Sequence, residues 1–91
     1  MADRKFKDPD AILDYPFDWG AEWMEAGDTI VSSSFTVPTG LTLELSSFTD
    51  TATVVWLSGG ELGQRYLVTN HIRTAAGRED DWSILVEMKN R

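Results

Sequence analysis

Turn residues interrupt this sequence at short and regular intervals. After residue 27, clusters of Gly, Pro, Asn or Asp separate short apolar segments about every 8–12 residues. Within the segments, apolar and polar residues alternate, as where Leu41, Leu43 and Leu45 are each followed by a polar residue. No segment has the long helical period that a βαβ fold requires. The spacing therefore predicts an all-β sandwich of six or seven antiparallel strands.

One tyrosine makes this prediction more specific. Tyr66 follows the turn at Gly63 and opens the second-last strand, and a hairpin at residues 75–78 leads into the last strand. This arrangement resembles the tyrosine corner of immunoglobulin-like domains, in which the hydroxyl bonds to nearby backbone. The alternative is an ordinary core tyrosine. The resemblance implies an immunoglobulin-like β-sandwich.

The chain divides into two predicted parts. Residues 1–10 are polar and end in Asp-Pro-Asp, which predicts an extended N-terminal arm. Residues 11–91 are predicted to form the sandwich, with Pro16 placing the first strand at a sheet edge. The apolar residues that share one face of the later strands are predicted to form the core: Trp56, Tyr66, Val68, Ile72, Trp82, Ile84 and Val86.

Composition excludes several classes of function. The 91 residues contain no cysteine, which rules out disulfides and thiolate metal sites. The net charge of −7 disfavours nucleic acid and anionic membranes as partners. No segment has the roughly 18 apolar residues of a membrane span. Residues 1–28 carry eight acids and three bases, which predicts docking on a basic or polar protein surface.

The sequence predicts no catalytic residue, metal or cofactor. His71 is the single histidine and is predicted to lie exposed on a strand. The carboxylate pairs lack the loop spacing of a calcium-binding EF-hand. Residues 59–63 are rich in glycine but precede a strand, whereas a phosphate-binding loop precedes a helix. A small enzyme is therefore the least favoured class.

An acidic and aromatic segment near the N-terminus is the most distinctive candidate site. Four aromatic residues fall within nine positions and are flanked by acids, a composition that suits a protein–protein hot spot. The same residues would also suit a well-buried first strand, and both interpretations stay open. The candidate partner-binding residues are Asp14, Tyr15, Phe17, Asp18, Trp19 and Trp23.

Several segments together resemble small virion structural proteins of tailed bacteriophages and prophages, encoded among the head and head–tail-joining genes. They are KDPDAILDY at residues 7–15, DW at 18–19, GDTI at 27–30, VWLSGG at 55–60, YLVTN at 66–70 and TAAGR at 74–78. The resemblance implies an immunoglobulin-like body in the virion, present in symmetric copies. It implies capsid, portal or neck proteins as partners.

Two functional hypotheses follow. The first is a non-enzymatic virion protein, a capsid decoration or head–tail accessory, that docks on the head or neck through residues 6–24. It predicts that a chain without residues 1–24 stays soluble but no longer binds the particle. The alternative is an immunoglobulin-like adhesion or carbohydrate-binding module of a phage fibre, which binds the host surface and stacks sugars on Trp23 or Trp82.

Overall fold

A computed structural model describes residues 2–90; Met1 and Arg91, the outer ends of the predicted arm and sandwich, lie outside the described residues. In chain order the elements are β1 (Ala2–Lys7), β2 (Leu13–Phe17), α1 (Trp19–Glu22), β3 (Ile30–Thr36), β4 (Leu41–Phe48), β5 (Thr53–Gly59), β6 (Arg65–Thr74) and β7 (Glu79–Met88). The chain forms successive strands because turns separate segments in which apolar and polar residues alternate, as the sequence predicts.

The strands form two sheets. The larger has the order β1-β7-β6-β3 and the smaller has the order β2-β5-β4. Four of the five strand pairs are antiparallel, and the pair β1–β7 is parallel. The predicted all-β sandwich is confirmed, and β2 with Pro16 lies at a sheet edge. The prediction of antiparallel strands does not hold for β1.

Residues 2–7 are extended, as predicted for the arm, but they belong to the larger sheet. Lys7 is fully buried, and its ammonium group donates hydrogen bonds to the carbonyl oxygens of Gly59 (2.7 Å) and Asp8 (3.0 Å). Burial lowers the pKa of Lys7. The Tyr15 hydroxyl donates to the Phe6 carbonyl (3.1 Å). These bonds join β1 to the sandwich.

The core lies between the two sheets. Its buried apolar residues are Tyr15, Phe17, Trp19, Ile30, Leu41, Val55, Leu57, Val68, Ile72, Ile84, Val86 and Met88. The predicted core positions Val68, Ile72, Ile84 and Val86 are confirmed, and Tyr66 and Trp82 pack against the core while half-buried.

The prediction that Trp56 lies in the core is wrong. Its neighbours Val55 and Leu57 face inward with no exposed surface, so Trp56 points out of the sheet and is 36% exposed.

A polar group sits within this core. Asn70 is fully buried, and its Oδ1 accepts hydrogen bonds from Trp19 Nε1 (2.8 Å) and Thr53 Oγ1 (2.7 Å). Its Nδ2 donates to Ser33 Oγ and to the Ser34 carbonyl, both at 2.9 Å. Asn70 thereby links β6 to β3, to β5 and to the start of α1, and all four of its hydrogen-bonding positions are used.

The interaction expected at Tyr66 is present. The backbone amide of Glu61 donates a hydrogen bond to the Tyr66 hydroxyl (3.1 Å). The ring lies against Gly40, where φ is +101° and an added Cβ would come within 3.1 Å of Tyr66 Cε1. Glycine at position 40 therefore permits both the turn and the close approach of the ring.

Candidate interaction surfaces

The structure turns most of the N-terminal aromatic segment inward. Tyr15, Phe17 and Trp19 are 6%, 0% and 1% exposed. The two phenyl-ring residues lie on the inner face of β2, and Trp19 opens α1, where the Asp18 side chain accepts a hydrogen bond from the Ala21 amide (3.2 Å). These three aromatic side chains therefore do not contribute to the surface of the folded chain.

The rings form one edge-to-face cluster. The ring centroid of Trp82 lies 5.2 Å from that of Trp19 and 5.4 Å from that of Phe17, and the centroids of Trp23 and Trp19 are 5.5 Å apart. The guanidinium carbon of Arg78 is 5.4 Å from the centroid of Trp23. Trp23 and Trp82, which the carbohydrate hypothesis requires for stacking, are thus engaged within the domain. Of the six candidate residues, Asp14 and Asp18 are exposed and Trp23 is half-buried.

An exposed apolar surface lies instead on the outer face of the smaller sheet. The strand register places Trp56 of β5 between Asp14 of β2 and Leu45 of β4. In the next row, Val54 lies beside Pro16. Leu45 is 59% exposed and Trp56 is 36% exposed.

Acidic side chains border this apolar surface. Glu44 lies at the register shift of β4, and its carboxylate accepts a hydrogen bond from Ser58. We call this surface the acidic face, and it consists of Asp14, Pro16, Glu44, Leu45, Val54 and Trp56. The N-terminal acidic and aromatic segment supplies Asp14 and Pro16 to it, whereas its aromatic residue is Trp56, a predicted core residue.

A second apolar surface lies on the outer face of the larger sheet. Leu67 is 51% exposed and pairs with Leu85, which in turn pairs with Arg4 of β1. Phe6 is 42% exposed, and the ammonium nitrogen of Lys89 lies 4.6 Å from its ring centroid. We call this surface the basic patch, and it consists of Arg4, Phe6, Arg65, Leu67, Leu85, Glu87 and Lys89. Glu87 lies between Arg65 and Phe6 and forms an ion pair with Arg4 (3.0 Å), so the patch carries three bases and one acid.

Charge is segregated between the two sheets. Residues 8–64 carry ten Asp or Glu and no Lys, Arg or His, and they include all three strands of the smaller sheet. All eight Lys and Arg lie in residues 4–7 and 65–91, whose strands belong to the larger sheet. The two exposed apolar surfaces are therefore bordered by opposite charges and face in opposite directions.

The structure gives His71 two carboxylate partners at the far end of the larger sheet. Its Nδ1 lies 2.6 Å from Asp81 Oδ1, and its Nε2 lies 2.9 Å from Glu79 Oε1. All three side chains are exposed to solvent. Within residues 2–90, no group of three or more His, Cys, Asp or Glu is arranged to hold a metal ion. The arrangement is that of a surface ion pair.

We expect His71 to make stability depend on pH. Hydrogen bonds that the His71 ring donates to the carboxylate of Asp81, and secondly to that of Glu79, raise the pKa of His71 above its unfolded value of about 6.5. The ion pair therefore stabilises the fold fully below about pH 6.5, and its contribution is lost as pH rises through the higher folded pKa. Because the groups are exposed, the contribution is at most about 1 kcal/mol. Urea unfolding at acidic and alkaline pH should show a larger pH effect in the wild type than in His71→Gln; equal pH effects would contradict the expectation.

The helix α1 has four residues, and no helix within the described part of the chain is long and apolar enough to cross a membrane.

A search of curated proteins found no match to the chain. Residues 7–87 match the family described as podophage GP4 fiber-tail adaptor protein gp77. The match extends from the end of β1 to almost the end of β7. The chain therefore belongs to this family of phage virion structural proteins.

Proposed function

We propose that this protein is a non-enzymatic adaptor that joins two other virion components through its acidic face and its basic patch. The observation that carries the proposal is the pair of exposed apolar surfaces, bordered by opposite charges, on opposite sheets. An adaptor must bind two partners at once, and opposite faces allow this without a steric conflict. Different border charges also let each face discriminate between partners.

The family description suggests which components these are. The matched family is a fiber-tail adaptor, so we propose a tail component and a fibre as the two partners. Docking on the head or neck, which the sequence analysis favoured, is the competing location. In either location, several copies around the particle would strengthen attachment through avidity. We also propose that the sandwich is immunoglobulin-like, since its order β2-β5-β4 with β7-β6-β3 corresponds to the B-E-D and G-F-C strands of that fold.

The proposal is tested with phage particles assembled without this protein, to which the purified chain is added. Trp56→Ala removes the centre of the acidic face, and Leu67→Ala removes an apolar residue of the basic patch. Truncation of a central hot-spot residue costs at least about 2 kcal/mol, so we expect Trp56→Ala to weaken one attachment by about 25-fold or more. Leu67→Ala should weaken the other attachment, and co-sedimentation with particles and with isolated fibres separates the two.

The control is Ser34→Ala, an exposed position of the larger sheet outside the basic patch. Ser34→Ala should unfold within about 0.5 kcal/mol of the wild type, because surface substitutions seldom cost more. Trp56→Ala and Leu67→Ala remove partly buried side chains, so circular dichroism must show that both are folded under the conditions of the binding assay. If both face variants bind particles and fibres as the wild type does, the adaptor proposal is wrong. Binding of the chain to tail-less heads would place it on the head instead.

A further inference from the structure

We infer that the free edge of β4 receives an extended segment of the partner that docks on the acidic face, so that the smaller sheet gains a fourth strand. The inference rests on the proposed adaptor function and specifies how one of its two partners binds. Strand addition of this kind supplies affinity through main-chain hydrogen bonds and specificity through alternate side chains.

The edge of β4 has few of the features that usually prevent strand pairing: one charged residue, Glu44, and one register shift, both in its first half. Exposed edges are commonly protected by Pro, by charged side chains or by shortness. The opposite edge of the smaller sheet, β2, carries Pro16, and β1 at one edge of the larger sheet carries Arg4 and Lys5. The other edge of the larger sheet, β3, also has no Pro and no charged residue, and it lies on the same flank of the sandwich as β4. The strand β4 has eight residues, no Pro and no basic residue. Its register shift lies between Leu43 and Leu45, so its last four residues pair regularly with β5.

Apolar side chains on the inner side of β4 lack a cover. Leu43 pairs with Leu57, and Phe48 pairs with Thr53, and both of these β5 residues are buried in the core. Leu43 and Phe48 are nevertheless 38% and 44% exposed. Both side chains therefore lie on the open flank of the sandwich, where β4 and β3, the edge strands of the two sheets, lie side by side.

An open cleft of about 330 Å³ lies on this flank. It is lined by Ser33 of β3 and by Ser46, Ser47 and Phe48 of β4. A strand paired to β4 would place alternate side chains over this cleft and over the acidic face. One extended segment would therefore cover both the inner apolar residues and the rim of the acidic face.

The charge around β4 indicates which kind of segment pairs with its free edge. Glu44 is the one charged residue of β4, and no residue between 8 and 64 is basic. A second copy of the chain would bring another acidic face and another net charge of −7 to the same edge. We therefore infer an extended segment of a different virion protein, apolar at alternate positions and neutral or basic in charge.

The test removes one main-chain donor at a time. Neighbouring residues of an antiparallel strand point their N–H groups in opposite directions, so one of Ser46 and Ser47 donates toward β5 and the other away from it. Ser46→Pro and Ser47→Pro remove these N–H groups, and Ser46→Ala and Ser47→Ala are matched controls that keep them. Thermal unfolding identifies the proline variant that folds like its alanine control, which is the one with an outward N–H.

That proline variant is then added to phage particles assembled without the protein. We expect its binding to be about tenfold weaker or more than that of its alanine control. In the wild-type complex, the outward amides of β4 should exchange hydrogen more slowly than in the free chain. Should both proline variants misfold, this exchange measurement decides the question by itself.

The edge inference is overturned if the folded proline variant binds like its control, or if β4 exchange is the same in the free chain and on particles. It is also overturned if slow exchange appears in the free chain on dimerisation, since the occupant would then be a second copy. Failure of the edge inference leaves the adaptor proposal standing as long as Trp56→Ala still weakens one of the two attachments. Failure of the adaptor proposal appears instead as normal attachment of both Trp56→Ala and Leu67→Ala.

Discussion

A chain that begins at residue 25 is expected not to fold. The deletion removes β1, β2 and α1, and with them three residues of the core, Tyr15, Phe17 and Trp19. Loss of one buried Phe or Trp side chain costs about 3–5 kcal/mol. A domain of this size is stable by roughly 5–14 kcal/mol in total. The deletion therefore removes more stabilisation than the remainder can spare.

The sheet also fails to close after this deletion. Without β2, the smaller sheet keeps only β5 and β4, and the buried faces of Val55 and Leu57 lose their cover along one edge. Two strands alone are marginally stable in water. The hypothesis of a detachable docking segment predicts a soluble folded body instead, so this deletion separates the two interpretations.

Amide dispersion in a ¹H–¹⁵N correlation spectrum of residues 25–91 is the measurement. We expect narrow dispersion and near-UV circular dichroism close to zero. Deletion of residues 1–3 is the control, since it keeps Phe6 and Lys7 with their hydrogen bonds to Tyr15 and Gly59, and it should stay folded. A well-dispersed spectrum from residues 25–91 would show that the core does not need Tyr15, Phe17 and Trp19.

The alternation of the sequence was enough to predict the sandwich, but not which side of every strand faces inward. In β5, residues 54–57 are all apolar, so the even-numbered and the odd-numbered residues both give the strand an apolar face. Size favours Trp56 as the buried residue, yet Thr53 is buried because its hydroxyl bonds to Asn70. Asn70, the residue that accepts this hydrogen bond and so favours Thr53 on the inner face, is 17 residues away, and no local pattern reveals it.

The pairing of β1 could not be predicted either, because its partners are also distant in the sequence. Residues 2–7 are polar and lack alternation, and their strand is held by main-chain pairing with β7 and by Lys7. The acceptor for the Lys7 ammonium is the Gly59 carbonyl, 52 residues later. A buried lysine is rare and has no sequence signature.

The charge segregation, in contrast, was visible in the sequence. Acid excess was assigned to residues 1–28, but the absence of Lys and Arg continues to residue 64. That range ends one residue before β6, where the chain enters the larger sheet for its last two strands. The sequence therefore held the signal that separates the acidic face from the basic patch, and only the strand order was needed to interpret it.

Replacement of Asn70 by leucine is expected to destabilise the protein by about 3–5 kcal/mol. The change keeps the side-chain size but leaves the Trp19 indole N–H, the Thr53 hydroxyl and the Ser34 carbonyl without their partner. Each buried polar group left unsatisfied costs about 1–3 kcal/mol. For a domain of this size, each kcal/mol lowers the midpoint of thermal unfolding by about 4–8 °C, so thermal unfolding should show a midpoint at least about 12 °C below that of the wild type.

A double-mutant cycle distinguishes the lost hydrogen bonds from a change of packing. Trp19→Phe in the wild type removes the indole donor and leaves Asn70 Oδ1 with Thr53 as its remaining partner. In the Asn70→Leu background the same change removes a donor that is already unpaired, so it should cost less, by about 0.5–3 kcal/mol. Additive effects of the two substitutions would show that Asn70 contributes through its shape alone. Coupling would show that the hydrogen bond from Trp19 to Asn70, which links the N-terminal aromatic segment to β6, contributes to stability beyond the packing of the two side chains.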